Sequence, residues 1–363
     1  MFLGVRLLLS LVAVMGVRAV PPPSVAQPNV SASATPGWHN ALDGTNRWDA
    51  GWLERIARDG YDWNEESAAF FPAYPLAIRA IVVSTPLDEV NAGLLVSNAA
   101  FLLALVVLYA LTTREFSTST ARRTVILVAA FPTSFFFLAP YSESLFLLAS
   151  LLTFWWARRG RWGGAAVAGF AAAATRSMGV ILVPALLWET WNTRSDHSKG
   201  AFAAALAPLL APVLYALFWL IHAGDVLRPI HAQASWFRAP TIPFVTLGDA
   251  LWLGIIGIRY PRGLYWTADV LLTAALLLPF ALRWRTVPRS YAIYVGVSLL
   301  IILSLPPPYR PLVSAPRYIM VLFPIFWTMA NTLTGRWFYV TLGTFVVGFL
   351  WLSVLFMNWG LIP

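Results

Sequence analysis

Residues 90–112 read VNAGLLVSNAAFLLALVVLYALT, a run without one acidic or basic side chain. An α-helix rises 1.5 Å per residue, so about 20 apolar residues cross the roughly 30 Å hydrocarbon core of a bilayer. The run is not alone. Further apolar segments fall at 124–140, 144–157, 163–175, 178–191, 201–222, 264–282, 290–305, 318–334 and 337–357. The composition agrees, with 59% hydrophobic and 11% charged residues and a mean hydropathy of +0.68. An ordinary soluble domain carries about 25% charged residues, so a water-soluble globular protein is excluded. The expected fold class is all-α: a polytopic transmembrane helical bundle of about eleven helices.

Residues 1–20 are counted as the first of these, with Arg6 near their start. A retained transmembrane anchor is the preferred reading and a cleaved signal peptide the alternative, because Val17 and Ala19 place small residues ahead of Pro21. The multi-helix domain runs from 90 to 357, and 358–363 is a short tail. The stretch 163–191, interrupted at Thr175-Arg176-Ser177, reads either as two short helices or as one broken helix.

The chain has no cysteine and a net charge of +9. A disulfide, a thiolate metal site and a cysteine nucleophile are therefore ruled out. Of the 25 basic residues, all but Lys199 are arginines, and they are dispersed over the loops. That distribution points to topology and membrane-lipid headgroups, not to nucleic acid. Arg114, Arg122 and Arg123 share one tight connection. Arg158, Arg159 and Arg161 share the next on the same side, followed by Arg194 with Lys199, by Arg283, Arg285 and Arg289, and by Arg336. Short basic loops read as cytoplasmic. The other side then receives three larger segments, 21–89, 223–263 and 306–317, and a cell-membrane protein with an extracytoplasmic site is expected.

The first of these segments carries the chemistry. It opens with a Pro-rich linker from Pro21 to Pro36 and holds nine of the sixteen acidic residues, with Trp38, Trp48, Trp52 and Trp63. Trp48, Trp52 and Ile56 fall at helical spacing, with Arg55, Arg58 and Asp59 pointing elsewhere, as in an amphipathic helix lying on the membrane surface. A second helix begins near Pro75 and runs to Val83. Asp49 sits among aromatic residues at the rim of an apolar bundle. A carboxylate there is partly desolvated and suited to accept a proton from a sugar hydroxyl; an Asp that caps a surface helix is the competing explanation. Arg176, Arg228, Arg238, Arg259, Arg262, Arg310 and Arg317 run against the positive-inside trend. Arg176 and Arg317 lie near membrane depth, where an ionised group needs a partner. That partner is a carboxylate such as Glu143 or Asp49, or a ligand phosphate, which the forked guanidinium suits. Glu143 opens a helix at a short outer turn, where an acid is also favoured by the dipole. His231 and Gln233 share an outer loop with Trp236. The four histidines have no metal-ligand spacing, so no metal ligand is assigned and only a carboxylate-held divalent cation stays open.

Several strings taken together carry a resemblance. They are Trp48-Asp49-Ala50-Gly51-Trp52, Ile56-Ala57-Arg58-Asp59-Gly60-Tyr61 and Ala69-Phe70-Phe71-Pro72-Ala73-Tyr74-Pro75-Leu76. Phe131-Pro132-Thr133-Ser134-Phe135-Phe136, Pro140-Tyr141-Ser142-Glu143-Ser144, Thr175-Arg176-Ser177-Met178-Gly179, His231-Ala232-Gln233 and Pro316-Arg317-Tyr318 follow. Their order and spacing resemble the prokaryotic branch of the PIG-V-like mannosyltransferases, integral-membrane glycosyltransferases of the GT-C class. The resemblance implies a GT-C bundle whose large first extracytoplasmic loop contains interfacial helices. It implies transfer of a hexose, mannose above all, from a polyprenyl-phosphate-linked donor to an acceptor hydroxyl of unknown identity, with inversion. It maps the base onto Asp49. Trp48, Trp52, Phe71, Tyr74, Glu143, Arg176, His231, Gln233, Arg238, Arg317 and Tyr318 are the candidate substrate contacts. The sequence departs from the pattern at Ser177, where proline is common, which makes a softer helix break expected there, and at Ala50, where glycine is usual. A flippase of lipid-linked sugars and a non-catalytic membrane subunit are the rival readings: a transporter has no need for an acidic, Trp-rich outer loop, and a subunit would tolerate change at Asp49 and co-purify with a partner.

Overall fold

The computed structural model describes residues 3–7, 11, 44–61, 65–192, 199–233, 238–260 and 263–357. The readings made of the Pro-rich linker, of Trp38, Trp63, Arg194, Trp236 and Arg262, of most of residues 1–20 and of the tail fall outside them. Among the described residues the secondary structure is helical, without strands. α1 (Asp49–Asp59) and α2 (Ala73–Ser84) fold the first loop against the start of α3 (Glu89–Glu115). Asp88 caps α3, its carboxylate accepting from the Asn91 amide at 2.8 Å. Then come α4 (Thr118–Ala130), α5 (Glu143–Ala157), α6 (Trp162–Thr175), α7 (Leu182–Asn192) and α8 (Lys199–Ala223), which tightens to a 3₁₀ turn at Ala207–Leu209. Four helices are long and apolar enough to span a membrane: α3, α8, α10 (Leu264–Arg283, extended to Thr286) and α14 (Gly335–Met357). α9 (Pro243–Gly257), α11 (Arg289–Ser304), α12 (Ala315–Met320) and α13 (Pro324–Thr332) lie among them, with one further helical turn, Arg228–His231, ahead of α9.

Three expected elements differ. The run 124–140 stops being α-helix at Ala130, and Phe131 to Ser142 form an irregular segment with one 3₁₀ turn at Ser134–Phe137. Pro132 and Pro140 supply no amide hydrogen and oppose a continuous helix. The run 318–334 divides into α12 and α13 ahead of Pro324. The segment 223–263 contains an apolar helix, α9, that packs on α10, with the Thr267 hydroxyl donating to the Gly254 carbonyl at 2.7 Å.

The break between α6 and α7 is sharp without proline. Arg176 leaves α6 in extended conformation (φ −151°), and a 3₁₀ turn, Ser177–Ile181, leads into α7. Gly179 permits the turn: a Cβ there would lie 2.3 Å from the Ala173 Cα. α6 itself is a run of Gly and Ala against α5, and a Cβ on Gly164 would meet the Trp156 ring at 2.8 Å. Small residues let helices approach closely where lipid gives no hydrophobic driving force between them.

The helices gather the basic loops at one end. Arg114 donates to the Arg158 carbonyl at 3.0 Å, and Arg289 lies 5.6 Å from the Trp188 ring. The irregular segments 131–142, 176–181 and 305–314 meet at the other end, against α1.

Candidate active site

Arg317 sits at the centre of that second end. Its Nη1 donates to Asp49 Oδ2 at 2.6 Å, and its Nε donates to Glu143 Oε1. Arg176 Nη1 reaches the same Glu143 oxygen at 2.5 Å and the Ser142 hydroxyl at 3.2 Å. Four residues that lie 268 positions apart at the extremes thus form one charged chain. Glu143 is fully buried, Arg317 is 6% exposed, and the Asp49 side chain is 24% exposed. The carboxylate of Asp49 is therefore the rim of the cluster and Glu143 its floor.

Local structure explains the placement. Asp49 is the first residue of α1, and it does not act as the cap: the cap position is Trp48, which makes no side-chain capping bond. Trp48 has φ 54°, and Ser314, three residues before Arg317, has φ 61°. These are the two non-glycine residues with positive φ among the described residues. Such backbone states cost about 1–3 kcal/mol each and persist where the surroundings over-determine them. Both lie next to the partners of one ion pair. Glu143 opens α5 after Pro140, and Tyr141 turns its ring under Arg317 at 4.5 Å while its hydroxyl donates to the Arg47 carbonyl at 2.6 Å. Phe136 lies 4.9 Å from the same guanidinium.

Tyr318 joins a third arginine to the group. Arg176 and Arg238 lie 5.0 and 5.4 Å from its ring, and Arg238 Nη2 donates to its hydroxyl at 3.3 Å. Arg238 also donates to the Leu305 carbonyl at 3.1 Å. It pairs with no carboxylate among the described residues. Two carboxylates and two arginines balance, so Arg238 leaves one net positive charge beside them. Glu143 Oε2 is buried without a hydrogen-bond partner among the described residues. The arrangement offers a rim carboxylate, a surplus cation and aromatic faces within one cluster.

Not every expected residue is there. His231 is exposed and its Nδ1 is 2.9 Å from Asp225 Oδ2; this contact holds the Asp225 carboxyl below its usual range. Gln233 follows it, and neither is bonded to the cluster among the described residues. Phe71 packs on Tyr215 at 4.9 Å, and Trp52 stacks on Phe70 at 5.6 Å. Tyr74 lies apart from the charged cluster. It is fully buried, and its hydroxyl is bonded to the Gly93 carbonyl at 2.9 Å and to the Ser97 hydroxyl at 2.7 Å, a packing position between α2 and α3. The buried face of α1 is also not Trp48-Trp52-Ile56 alone: Ala50, Leu53, Ile56 and Ala57 go inward, and Trp52 is half-buried. Tyr141 and Phe136 were missed as site residues although they stand beside Glu143 and within the Phe131–Phe136 string. The signal was the pair of prolines that turns those aromatics inward.

An apolar cavity of about 550 Å³ lies between α1, α2, α6 and α8. Ile56, Tyr61, Leu76, Phe170, Ala174 and Phe218 line it, with Arg79 and His222 at its edge. Ala174 is two residues from Arg176. None of Asp49, Glu143, Arg176 and Arg317 lines it.

The profile of the family described as Mannosyltransferase (PIG-V) matches residues 7–194, just over half of the chain and inclusive of Asp49, Glu143 and Arg176. The chain belongs to the PIG-V mannosyltransferase family. Within it, the chain is similar to a "GPI mannosyltransferase 2" of Drosophila pseudoobscura pseudoobscura, 34% identical over 120 residues, which is 30% of this chain and 26% of the relative. A "GPI mannosyltransferase 2" of Cryptococcus neoformans var. neoformans serotype D is 36% identical over 118 residues, 30% of this chain and 27% of that one. The matched region thus spans about a quarter of these relatives' length. Among solved structures, ArnT from Cupriavidus metallidurans, in a crystal structure bound to undecaprenyl phosphate, superposes over 94% of this PIG-V family chain and 61% of its own, with a TM-score of 0.54 and 16% identity. The fold is that of the GT-C glycosyltransferases, and the protein is an integral membrane protein.

Proposed function

We propose that this protein transfers a mannosyl group from a polyprenyl-phosphate donor to an acceptor hydroxyl at the extracytoplasmic face, with inversion at the anomeric carbon. The observation that carries the reading is the Asp49–Arg317–Glu143–Arg176 chain, in which one carboxylate is presented at the rim and the rest are held beneath it. The family match supports the sugar, and the undecaprenyl phosphate bound by the ArnT structure supports the lipid class. The concentration of arginine loops at the opposite end supports an outward-facing site.

Asp49 accepts the acceptor's hydroxyl proton as the acceptor oxygen bonds to the anomeric carbon. The bond from that carbon to the phosphate oxygen breaks, and its electron pair leaves with polyprenyl phosphate. Arg317 orients Asp49 through Oδ2, which leaves Oδ1 to take the proton. Arg238 and Arg176, around the Tyr318 ring, supply the positive field for the departing phosphate. The apolar cavity beside Arg176 suits an isoprenoid chain, whose phosphate end then lies toward the arginines.

The test is incubation of purified protein with polyprenyl-phosphate-linked mannose, glucose and arabinose, with released polyprenyl phosphate and product configuration measured. Mannose is expected to be consumed with inversion. A positioned base contributes roughly 10²–10⁴ in rate, so Asp49→Asn is expected to lose that factor with the protein still folded, since Arg317 keeps Glu143. Wild-type turnover by Asp49→Asn overturns the assignment.

A further inference from the structure

The bundle's other end holds three arginines that the transfer chemistry does not use. Arg158, at the end of α5, donates to Glu115 at 2.8 Å and Glu189 at 2.7 Å, so it takes up both neighbouring carboxylates. Arg114, Arg159 and Arg161 surround it, all exposed, and none makes an ion pair among the described residues. Arg114 is fixed by its bond to the Arg158 carbonyl at 3.0 Å. The Arg159 guanidinium lies 3.1 Å from the Trp155 ring centroid, and that of Arg161 lies 5.3 Å from Trp156. Desolvation, then repulsion from Arg114 and Arg161, disfavours the charge on Arg159. Arg158 with Glu115 and Glu189 carries one net negative charge, so Arg114, Arg159 and Arg161 leave the turn with two net positive charges.

We propose that Arg114, Arg159 and Arg161 form a docking site for the phosphate headgroup of an anionic phospholipid. The occupant follows from the position. The turn closes the apolar helix α5 just where α3 ends and α6 begins, so the membrane surface passes through it. Trp155 and Trp156 are half-buried at the same level, the depth at which tryptophan settles among headgroups. Stacking on indole fixes two of the guanidiniums in advance, with their edges left to bond phosphate oxygens. The site is independent of the transfer reaction, and its loss leaves Asp49 and its partners in place.

The experiment is a titration of delipidated, detergent-solubilised full-length protein with phosphatidylglycerol or phosphatidylcholine, with bound lipid counted by native mass spectrometry. Each surface arginine contributes about a fivefold preference for anionic lipid, and three together roughly a hundredfold. Wild-type protein is expected to prefer phosphatidylglycerol by that order, more weakly at high salt. A variant with Arg114, Arg159 and Arg161 all changed to Gln is expected to lose the preference with unchanged melting, and the corresponding Lys variant to keep most of it. Equal binding of the two lipids by wild type overturns the proposal, as does a preference retained by the Gln variant. Displacement of phosphatidylglycerol by millimolar inorganic phosphate also overturns it, because the turn is then a bare anion site and not a lipid site.

Discussion

Two ionic clusters stand at the two ends of one helix. Glu143 opens α5 and Arg158 follows its last residue, fifteen positions or roughly 22 Å of helix away. Each cluster centres on an arginine held between two carboxylates: Arg317 between Asp49 and Glu143, Arg158 between Glu115 and Glu189. The lower one is closed. Arg158 forks onto both Glu115 oxygens at 2.8 and 2.9 Å, and the Tyr291 hydroxyl donates to Glu115 at 3.1 Å. The upper one is open. It carries Arg176 and Arg238 as further cations, an unsatisfied Glu143 oxygen and a strained residue on each side of the Asp49–Arg317 pair. Structural ion-pair networks occur as well as functional ones, so an ion pair alone does not mark a site. An orphaned acceptor inside the ion-pair chain and backbone strain beside it distinguish a poised site from a staple.

The comparison breaks most readily on turnover. Asp49→Asn is expected to lower glycosyl transfer by about 10²–10⁴, with melting down by at most a few degrees, because Arg317 keeps Glu143 and the new amide can still accept its hydrogen bond. Arg158→Met is expected to act on stability and not on turnover. It leaves Glu115 and Glu189 without their cation, and breaking a buried pair costs up to about 3–5 kcal/mol. Arg158 is 32% exposed, so the lower end applies. Melting in detergent is expected to fall by several degrees while turnover per folded molecule stays at the wild-type level. If Arg158→Met proves as inactive as Asp49→Asn when folded, the two ends are not functionally distinct.

A smaller effect sharpens the open cluster. Arg238→Gln removes its surplus charge and keeps the hydrogen bond to the Leu305 carbonyl within reach of the new amide. Loss of one donor to a developing phosphate charge is expected to reduce turnover about 10²-fold or less. Arg238→Lys is expected to recover part of it, because a point charge binds phosphate without the fork. An effect confined to KM would make Arg238 a binding group only.

How much of this was legible in the sequence depends on range. The spans around 90–112 and 337–357 and the helices 144–157, 163–175 and 264–282 were plain from apolar runs, and α3, α14, α5, α6 and α10 match them to within a few residues. Arg176 and Arg317 stood out because ionised groups near membrane depth demand partners. Glu143 and Asp49 were named as those partners on chemical grounds. That Arg317 would bridge both follows only from tertiary contact between residues 49, 143 and 317. The same holds for Asp269, which was overlooked. It is 1% exposed within α10 and takes a bidentate fork from Arg310 at 2.5 and 3.0 Å, so that the loop leading to Arg317 is tied to the bundle. Where proline divided a long apolar run, as at 131–142 and ahead of Pro324, hydropathy alone extended the helix too far.

Glu54 offers the smallest effect on turnover. It lies on α1 five residues after Asp49 and is 8% exposed, with Oε2 accepting from Asn46 at 2.6 Å and Oε1 unpartnered among the described residues. Burial pushes its carboxyl up to about 8. Glu89 and Asp88 add to the effect, while the Asn46 bond and Arg58 oppose it. The folded state therefore holds a proton that the unfolded chain releases near its ordinary value of 4.5. By linkage, stability is full below about pH 4.5 and declines as pH rises toward about 8, where the folded form also ionises. Glu54→Gln keeps an acceptor for Asn46 and cannot ionise. Its melting temperature is expected to stay level where the wild-type value falls, so that the variant is the more stable protein at pH 9 by a few degrees. Turnover at neutral pH is expected to be unchanged, since Asp49 keeps its bond to Arg317. A wild-type melting curve that is flat from pH 5 to 9 would mean that Glu54 is charged in place, and that α1 tolerates a second carboxylate as readily as the lower end of α5 tolerates two.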